Sequence, residues 1–474
     1  MSELRLDLGW VSGATAGQLV RGDAGRTIGA IVTDSRVAQA GDLFVALQGP
    51  RFDAHEFAAE LLRRDVAGVV IDVEHAGAVQ ADVPESQPAS GGIVVVADTV
   101  RALQDIAHGI RRESGTRVVA ITGSAGKTTT KEAIAECLSS RFRVVRNQGN
   151  LNNHIGLPLS LMELRSRPDV AVMELGMNHA GEISRLVEVS EPDIRVWTNV
   201  GDAHVGFFDS VDAIADAKAE ILERADAGTV LVCNADDGRV MARAARFVGR
   251  TVTFGTAPGA SVRATQIEDL GLDGMTAVIA TAGRDRVLTT PLLGRGNLMN
   301  VLAAVAVGLE FDVPLDDLIA TVAGLTPAPR RGAVHRLRDG IRLVDDSYNS
   351  SPAALKRALE MLGHARVPGR KVAVLGEMLE LGDRAVALHR ECGAAVAAAG
   401  VAHLIAIGGD AVRALADGAV AAGLPAAAVT VFSRSDDAAA AAVATVAPGD
   451  AVLVKGSRGI RTDVIADRLA LELA

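Results

Sequence analysis

The sequence predicts an α/β protein of three domains, and three observations carry that expectation. Its 474 residues exceed the roughly 100 to 200 of a single domain. Short, wholly apolar runs alternate with longer amphipathic ones over most of the chain, the pattern of parallel strands covered on both faces by helices. The composition is 49% hydrophobic yet only 3% aromatic, and alanine carries much of the apolar share, which favours helices packed on sheets over an aromatic-rich sandwich.

Residues 1–97 hold short strand-like pieces at Asp42 to Leu47, Ala67 to Val73 and Ile93 to Ala97, a helix-like run near His55 to Arg64, and a Pro/Ser/Gly-rich loop, VPESQPASGG. They read as a small α/β unit. Residues 98–327 repeat strand then helix: RVVAITG, DVAVMELG, IRVWTNVG and TVLVCN each precede an amphipathic run, which predicts a parallel sheet. The segment TPAPRRG supplies a linker. Residues 328–474 repeat the logic with IRLVDD, KVAVLG, AHLIAIG, AVTVF and AVLVKG, and predict a second doubly wound domain.

Composition excludes several classes. With 48 Lys+Arg against 58 Asp+Glu, a net charge of −10 and no basic run interleaved with aromatics, nucleic acid is not an expected partner. Cys137, Cys233 and Cys392 are far apart, which points to a reducing, cytoplasmic setting and away from a zinc site. MSELRLDLGW lacks the order of a signal peptide, and no apolar stretch reaches the ~20 residues of a membrane span.

The stretch AITGSAGKTTTKEA, residues 120–133, joins an apolar run to a helical one. Gly123, Ser124, Ala125, Gly126, Lys127, Thr128 and Thr129 form a candidate phosphate loop. Backbone amides and the helix dipole would hold an oxyanion, Lys127 would neutralise β and γ oxygens, and Thr128 would face Mg²⁺. The general pattern needs glycine at position 121, which here is Ile121. Glu174 and His204 follow later strands; beyond the carboxyl ends of parallel strands, a carboxylate and an imidazole near the loop suggest a second divalent ion. Each alone also reads as a strand-end polar group satisfied by backbone. Lys218, on a predicted amphipathic helix, reads as a solvated lysine unless a neighbouring metal and a lowered pKa make it a site residue.

Ten stretches in one order then resemble the Mur ligases of peptidoglycan synthesis over nearly the whole chain. They are TDSR (33–36) with GDLFVALQGPRFDAHEF (41–57), TGSAGKTTTKE, NQGNLNNHIGLP (147–158), MELGMNHAGEI, TNVGDAHVGFF, DAKAEI, GRGNLMNVLAAVAV (294–307), VDDSYNSSP (344–352), LGEMLELG (375–382) and VLVKGSRG (452–459). The resemblance implies a UDP-sugar domain, a central P-loop-type ATPase domain and a C-terminal Rossmann-like ligase domain. It also implies an ATP-dependent amide ligase with two Mg²⁺ ions. Glu174, His204 and Lys218, the last carbamylated by CO₂, would hold the second ion.

By the same resemblance, Asn297 and Asn300 would lie at adenine, Arg331 near the γ-phosphate and Asp346 at ribose. Tyr348, Asn349 and Lys455 would face nucleotide or incoming amine. Ser35 and Arg36 with Asn150, Asn152 and Asn153 would hold the UDP-sugar, joined by His55, Phe52 and Arg51. His179 is a candidate base for the amine. DDSYN and GEMLELG, with no DNPR present, favour the step that adds D-alanyl-D-alanine to UDP-N-acetylmuramoyl-tripeptide, by a monomer.

Two departures stand out. Gly296 occupies the histidine position of the family's GxHN, and Ser350-Ser351 alter its SYNANP. The alternatives are a diamino-acid-adding Mur ligase, a folylpolyglutamate synthase-like ligase, which would not need TDSR, and a non-ligase nucleotide switch or kinase. The last would have no use for Glu174, His204 and Lys218 together.

Overall fold

The computed structural model describes residues 3–83, 91–201, 207–281 and 283–474. Most of the VPESQPASGG loop, and His204, lie outside them. The backbone packs into two units. The first is Met1–Ala120, Phe142–Met177 and Gly181–Asp193; the second is Ile121–Arg141, Asn178–Ala180 and Ile194–Ala474.

In the first unit, a five-stranded sheet runs in the order Gln18–Arg21, Gly92–Val96, Gly68–Asp72, Leu43–Val45, Ile31–Val32. Only Gln18–Arg21 is antiparallel to its neighbour. Phe44, Val69, Ile71 and Ile93 from the strands bury against Leu61 and Leu62 of the helix Ala58–Arg63. The helix Thr99–Ser114 starts where the Asp98 carboxylate accepts from the amides of Val100 and Arg101, and ends at left-handed Gly115. Such a cap satisfies amides that the first helical turn leaves without partners. The strand Val170–Glu174, buried throughout, pairs in parallel with Val144–Arg146.

The strand Arg117–Thr122 carries the chain from the first unit into the second. There the order is Ile194–Trp197, Val230–Asn234, Arg250–Gly255, Val262–Asp269, Met275–Thr281, Arg284–Thr290. The first four are parallel, and the last two are antiparallel. A purely parallel sheet was the expectation. The added meander follows from its residues: Val262–Asp269 and Met275–Thr281 alternate buried with partly exposed positions, the pattern of strands with one wet face.

The same unit holds a six-stranded sheet in the order Ala333–Arg336, Arg342–Asp346, Ala451–Lys455, Lys371–Gly376, His403–Ile407, Val429–Phe432. It is parallel except for the first strand. Leu343, Val374, Ile405 and Val454 build its core with Ala438, Ala439 and Ala442, and alanine lets that helix lie close to the sheet. The last strand in sequence inserts between the second and third, pairing Asp346 with Lys455 in register. In such folds ligands collect beyond the carboxyl ends of the strands, where the strand order reverses.

Candidate active site

The phosphate loop follows a buried strand and opens the helix Lys127–Ser139, whose amino end has no side-chain cap. Two of its glycines are required. Gly123 has φ +152, and a Cβ there would sit 2.0 Å from Thr198 Oγ1; Gly126 has φ +83, and a Cβ would sit 2.2 Å from Asn300 Oδ1. L side chains avoid such backbone angles.

The end of the neighbouring strand clamps the loop. Ser124 N donates to Asn199 O at 3.0 Å, Ala125 N to Asn199 Oδ1 at 3.0 Å, and both Thr198 Oγ1 and Asn199 Nδ2 donate to Ala125 O at 2.9 Å. The hydroxyl of Ser124 bridges to Gly201. The sequence reading passed over Thr198 and Asn199; their signal was TNVG at a strand end, where short polar side chains can reach a preceding loop. Lys127 Nζ turns back to Gly123 O at 2.8 Å, so the ammonium stands over the loop.

Residues from the sequence's later third close on this loop. Arg331 donates to Thr128 Oγ1 at 3.5 Å, and its guanidinium lies 4.0 Å from the Tyr348 ring centroid. Lys455 is buried and donates to Asp346 Oδ2 at 2.6 Å and Asn349 O at 2.9 Å. It therefore orients Asp346 and is not displayed to an amine. Asn349 Oδ1 accepts from Ser350 N. Asn300 donates to Asn297 Oδ1 at 3.1 Å, and Asn297 donates to Leu293 O, so the asparagines form one unit against Gly126. Beside them Arg357 lies over Gly296: a Cβ at 296 would be 3.6 Å from Arg357 Cδ. Burial pulls the Arg357 guanidinium down from its usual range, against the favourable charges of Asp346 and Glu360.

Lys218 is buried on the helix Val211–Ala219, with Ile214, Ala215 and Ala217. Burial, joined by the charge of Lys127, pulls its ammonium well below the usual lysine range. No carboxylate pairs with it among the described residues. The solvated reading of this lysine is excluded, and a neutral amine is favoured. His179 meets the Phe207 ring edge-on, centroids 5.5 Å apart.

In the first unit, Glu174 is buried at its strand end. Asn152 donates to its Oε1 at 2.8 Å, while Asn147 accepts from Glu174 N at 2.9 Å and donates to Glu174 O at 3.1 Å. Asn152 thus orients the carboxylate. Asn147, which the sequence reading left unnamed, holds the turn. Asn153 Oδ1 accepts from the Ile155 and Gly156 amides, and the Asn150 side chain is exposed.

Arg36 is exposed and grips its neighbour Asp34 at 2.9 and 2.6 Å. Those bonds hold the Asp34 carboxyl down at about 2. Ser35 is half-buried beside them, and Arg51 and Phe52 are exposed. His55 is buried beneath His75, the two rings stacked at 4.1 Å. His55 Nδ1 meets Asp53 at 2.6 Å, and His75 meets Asp72 at 2.7 Å and Asp53 at 3.1 Å. These four side chains contact one another, His55 also reaching Asp72 at 3.4 Å.

A phosphate loop clamped by a neighbouring strand, a buried lysine with no carboxylate partner among the described residues and a Rossmann-like domain carrying Asp346 fit a nucleotide-dependent ligase, and the chain belongs to the Mur ligase family. Residues 27–111 match "Mur ligase family, catalytic domain", 121–308 "Mur ligase middle domain" and 330–458 "Mur ligase, glutamate ligase domain".

Among its relatives are UDP-N-acetylmuramoyl-tripeptide–D-alanyl-D-alanine ligases. That of Bacillus subtilis is 32% identical, covering 93% of this chain and 92% of its own. That of Synechocystis is 35% identical, covering 93% and 92%. Similar structures include MurF from Acinetobacter baumannii (TM-score 0.86, 29% identity, 99% of this chain and 100% of that one). MurF from Thermotoga maritima in complex with ADP is also similar (TM-score 0.80, 28%, 94% and 97%). A Mycobacterium tuberculosis folylpolyglutamate synthase, at 18% identity, shares the fold alone.

Proposed function

We infer that this chain is the ATP-dependent ligase that joins D-alanyl-D-alanine to UDP-N-acetylmuramoyl-tripeptide in peptidoglycan precursor synthesis. The observation that carries this is its end-to-end likeness to ligases of that step, at 32% and 35% identity over 93% of the chain. The loop at Gly123–Thr128 holds ATP so that the γ-phosphoryl group passes to the peptide carboxylate. A carboxylate is a poor electrophile; as an acyl phosphate it carries a good leaving group. The dipeptide amine then attacks, and phosphate leaves. Lys127 offsets charge on the transferring group, while Arg331 and Asp346, the latter oriented by Lys455, position the nucleotide. His179 is proposed as the amine's base.

Thr128 is proposed for one Mg²⁺, and Glu174, His204 and a carbamylated Lys218 for a second; hydroxyl, carboxylate and carbamate oxygens are hard donors that suit this ion. Carbamylation requires a neutral amine, and the depressed pKa of Lys218 supports it. Bound Mg²⁺ would supply electrostatic stabilisation of phosphoryl and acyl oxygens.

We place the UDP-sugar domain at 1–97, the ATP domain at 98–327 and the ligase domain at 328–474, supported by the change of pattern near Asp98 and the TPAPRRG linker. The UDP-sugar is assigned to Ser35 and Arg36 with Asn150, Asn152 and Asn153, joined by His55, Phe52 and Arg51. No helix among the described residues is long and apolar enough to cross a membrane. A monomer working in the cytoplasm is the proposed setting.

Phosphate release with Mg-ATP, UDP-MurNAc-tripeptide and D-Ala-D-Ala, each omitted in turn, tests the reading. Release should need all three and yield the pentapeptide mass. Release indifferent to the UDP-sugar would refute it.

A further inference from the structure

The incoming dipeptide carries a carboxylate at the end opposite its reacting amine, and a carboxylate leaving water for a crevice needs a cation. The cations around the phosphate loop are mostly committed. Lys127 bonds its own loop, Lys455 bonds Asp346, and Arg330 pairs with Asp463 and Asp467. Arg331 contacts Thr128, Lys218 is buried, and Arg357 lies over Gly296.

Arg458 differs. It is exposed, has no carboxylate partner among the described residues, and its guanidinium lies 5.8 Å from the Tyr348 ring centroid, the ring that Arg331 also flanks at 4.0 Å.

The turn that carries Arg458 is rigid. Ser457 is buried, its amide donates to Glu377 O at 3.2 Å, and its hydroxyl accepts from Leu379 N at 2.9 Å. Gly456 is packed so closely that a Cβ would lie 2.7 Å from Thr462 Cγ2. A fixed turn thus places the Arg458 guanidinium beside the Tyr348 ring. Its ring neighbour is shared with the arginine that touches the nucleotide loop. An extended dipeptide spans ~7 Å, which suits an amine on the loop side of Tyr348 and a carboxylate at Arg458.

We propose, resting on the dipeptide-adding reading above, that Arg458 receives the carboxylate of the incoming dipeptide and selects for a free C-terminus. The guanidinium fork matches a carboxylate with two parallel hydrogen bonds, which lysine cannot reproduce.

The test compares D-Ala-D-Ala with its C-terminal amide in the wild-type chain, Arg458→Ala and Arg458→Lys, reading dipeptide-dependent phosphate release and KM for ATP. In the wild type, amidation should lower kcat/KM by ~10- to 100-fold. In Arg458→Ala the dipeptide should fall to the level of its amide, so that amidation no longer matters, while KM for ATP is unchanged. Arg458→Lys should keep part of the discrimination. An amidation penalty equal in the wild type and Arg458→Ala, or none in the wild type, overturns the proposal while leaving the activity intact. Absence of any dipeptide-dependent release in the wild type removes the activity on which it rests, and the proposal with it.

Discussion

The two units bury ionisable side chains in opposite ways. In the first, His55 and His75 are enclosed by Asp53 and Asp72, each ring meeting both carboxylates within 3.4 Å. In the second, Lys218 is buried with no carboxylate among the described residues, and the charge acting on it is another cation, Lys127. A histidine held by carboxylates has its polar atoms partnered, whereas a buried amine without a carboxylate partner favours its neutral form. The difference separates a structural device from a chemical one, without reference to any relative.

The sharpest way to break that distinction is Lys218→Met, which keeps the apolar stem and removes the amine. If Lys218 serves chemistry, turnover should fall roughly 10³-fold, while the thermal midpoint holds or rises, because no buried amine remains to be kept neutral. A fall in both would make Lys218 structural and cancel the contrast. The pH dependence has a defined sign. The folded pKa lies below the unfolded 10.5, so between the two values the unfolded chain binds more protons and the stability of the unmodified protein rises with pH. Depleting CO₂ should also lower turnover, with bicarbonate restoring it.

A second test asks whether the second unit depends on backbone geometry as much as on charge. A Cβ at Gly123 would meet Thr198 Oγ1 at 2.0 Å, so Gly123→Ala must move the loop or the strand end that clamps it. Nucleotide affinity, read by titration with ADP, should weaken at least ~100-fold, since displacements near 1 Å cost that much at positioned sites. Binding within a few-fold of wild type would show the clamp to be slack.

The strand–loop–helix at 117–139 was legible because its signals are local: an apolar run, a glycine turn and an amphipathic helix. So were Asp346 and Lys455, which sit at strand ends that motif order alone identifies. What escaped depends on partners distant in sequence. The assignment of Lys455 to Asp346 requires knowing that the last strand inserts beside Arg342–Asp346, a pairing no local pattern encodes. The sequence does not show that Asn152 lies 2.8 Å from Glu174. Lys218 was singled out only by the family resemblance, because a helix's sequence does not say which of its faces is covered. The antiparallel meander at 262–290 was missed because its alternation is diluted by threonines and arginines, which are weak markers of a half-wet strand.

The smallest expected effect belongs to the first unit. His75→Ala opens the cage but leaves the turn at Asp53 and the loop under it, so turnover should stay within a few-fold of wild type and stability should drop by about 1 kcal/mol, a modest value for a partly exposed ion pair. The hydrogen bond to Asp72, opposed by partial burial and helped by the charges of Asp72, Asp53 and Glu74, raises the His75 pKa above 6.5. Its contribution is therefore complete below pH 6.5 and is lost as pH rises through the folded value. Burial alone would raise the Asp53 and Asp72 carboxyls, but bonds from His55 and His75 outweigh it and lower both below 3.8. Their share is present above that pH and is lost as pH falls through the folded values. The gap in thermal midpoint between wild type and His75→Ala should thus be widest near pH 5 to 6 and close toward pH 9. A gap that stays constant across that range would mean His75 stabilises by packing on His55 alone, and the carboxylate-partnered cluster would no longer contrast with Lys218.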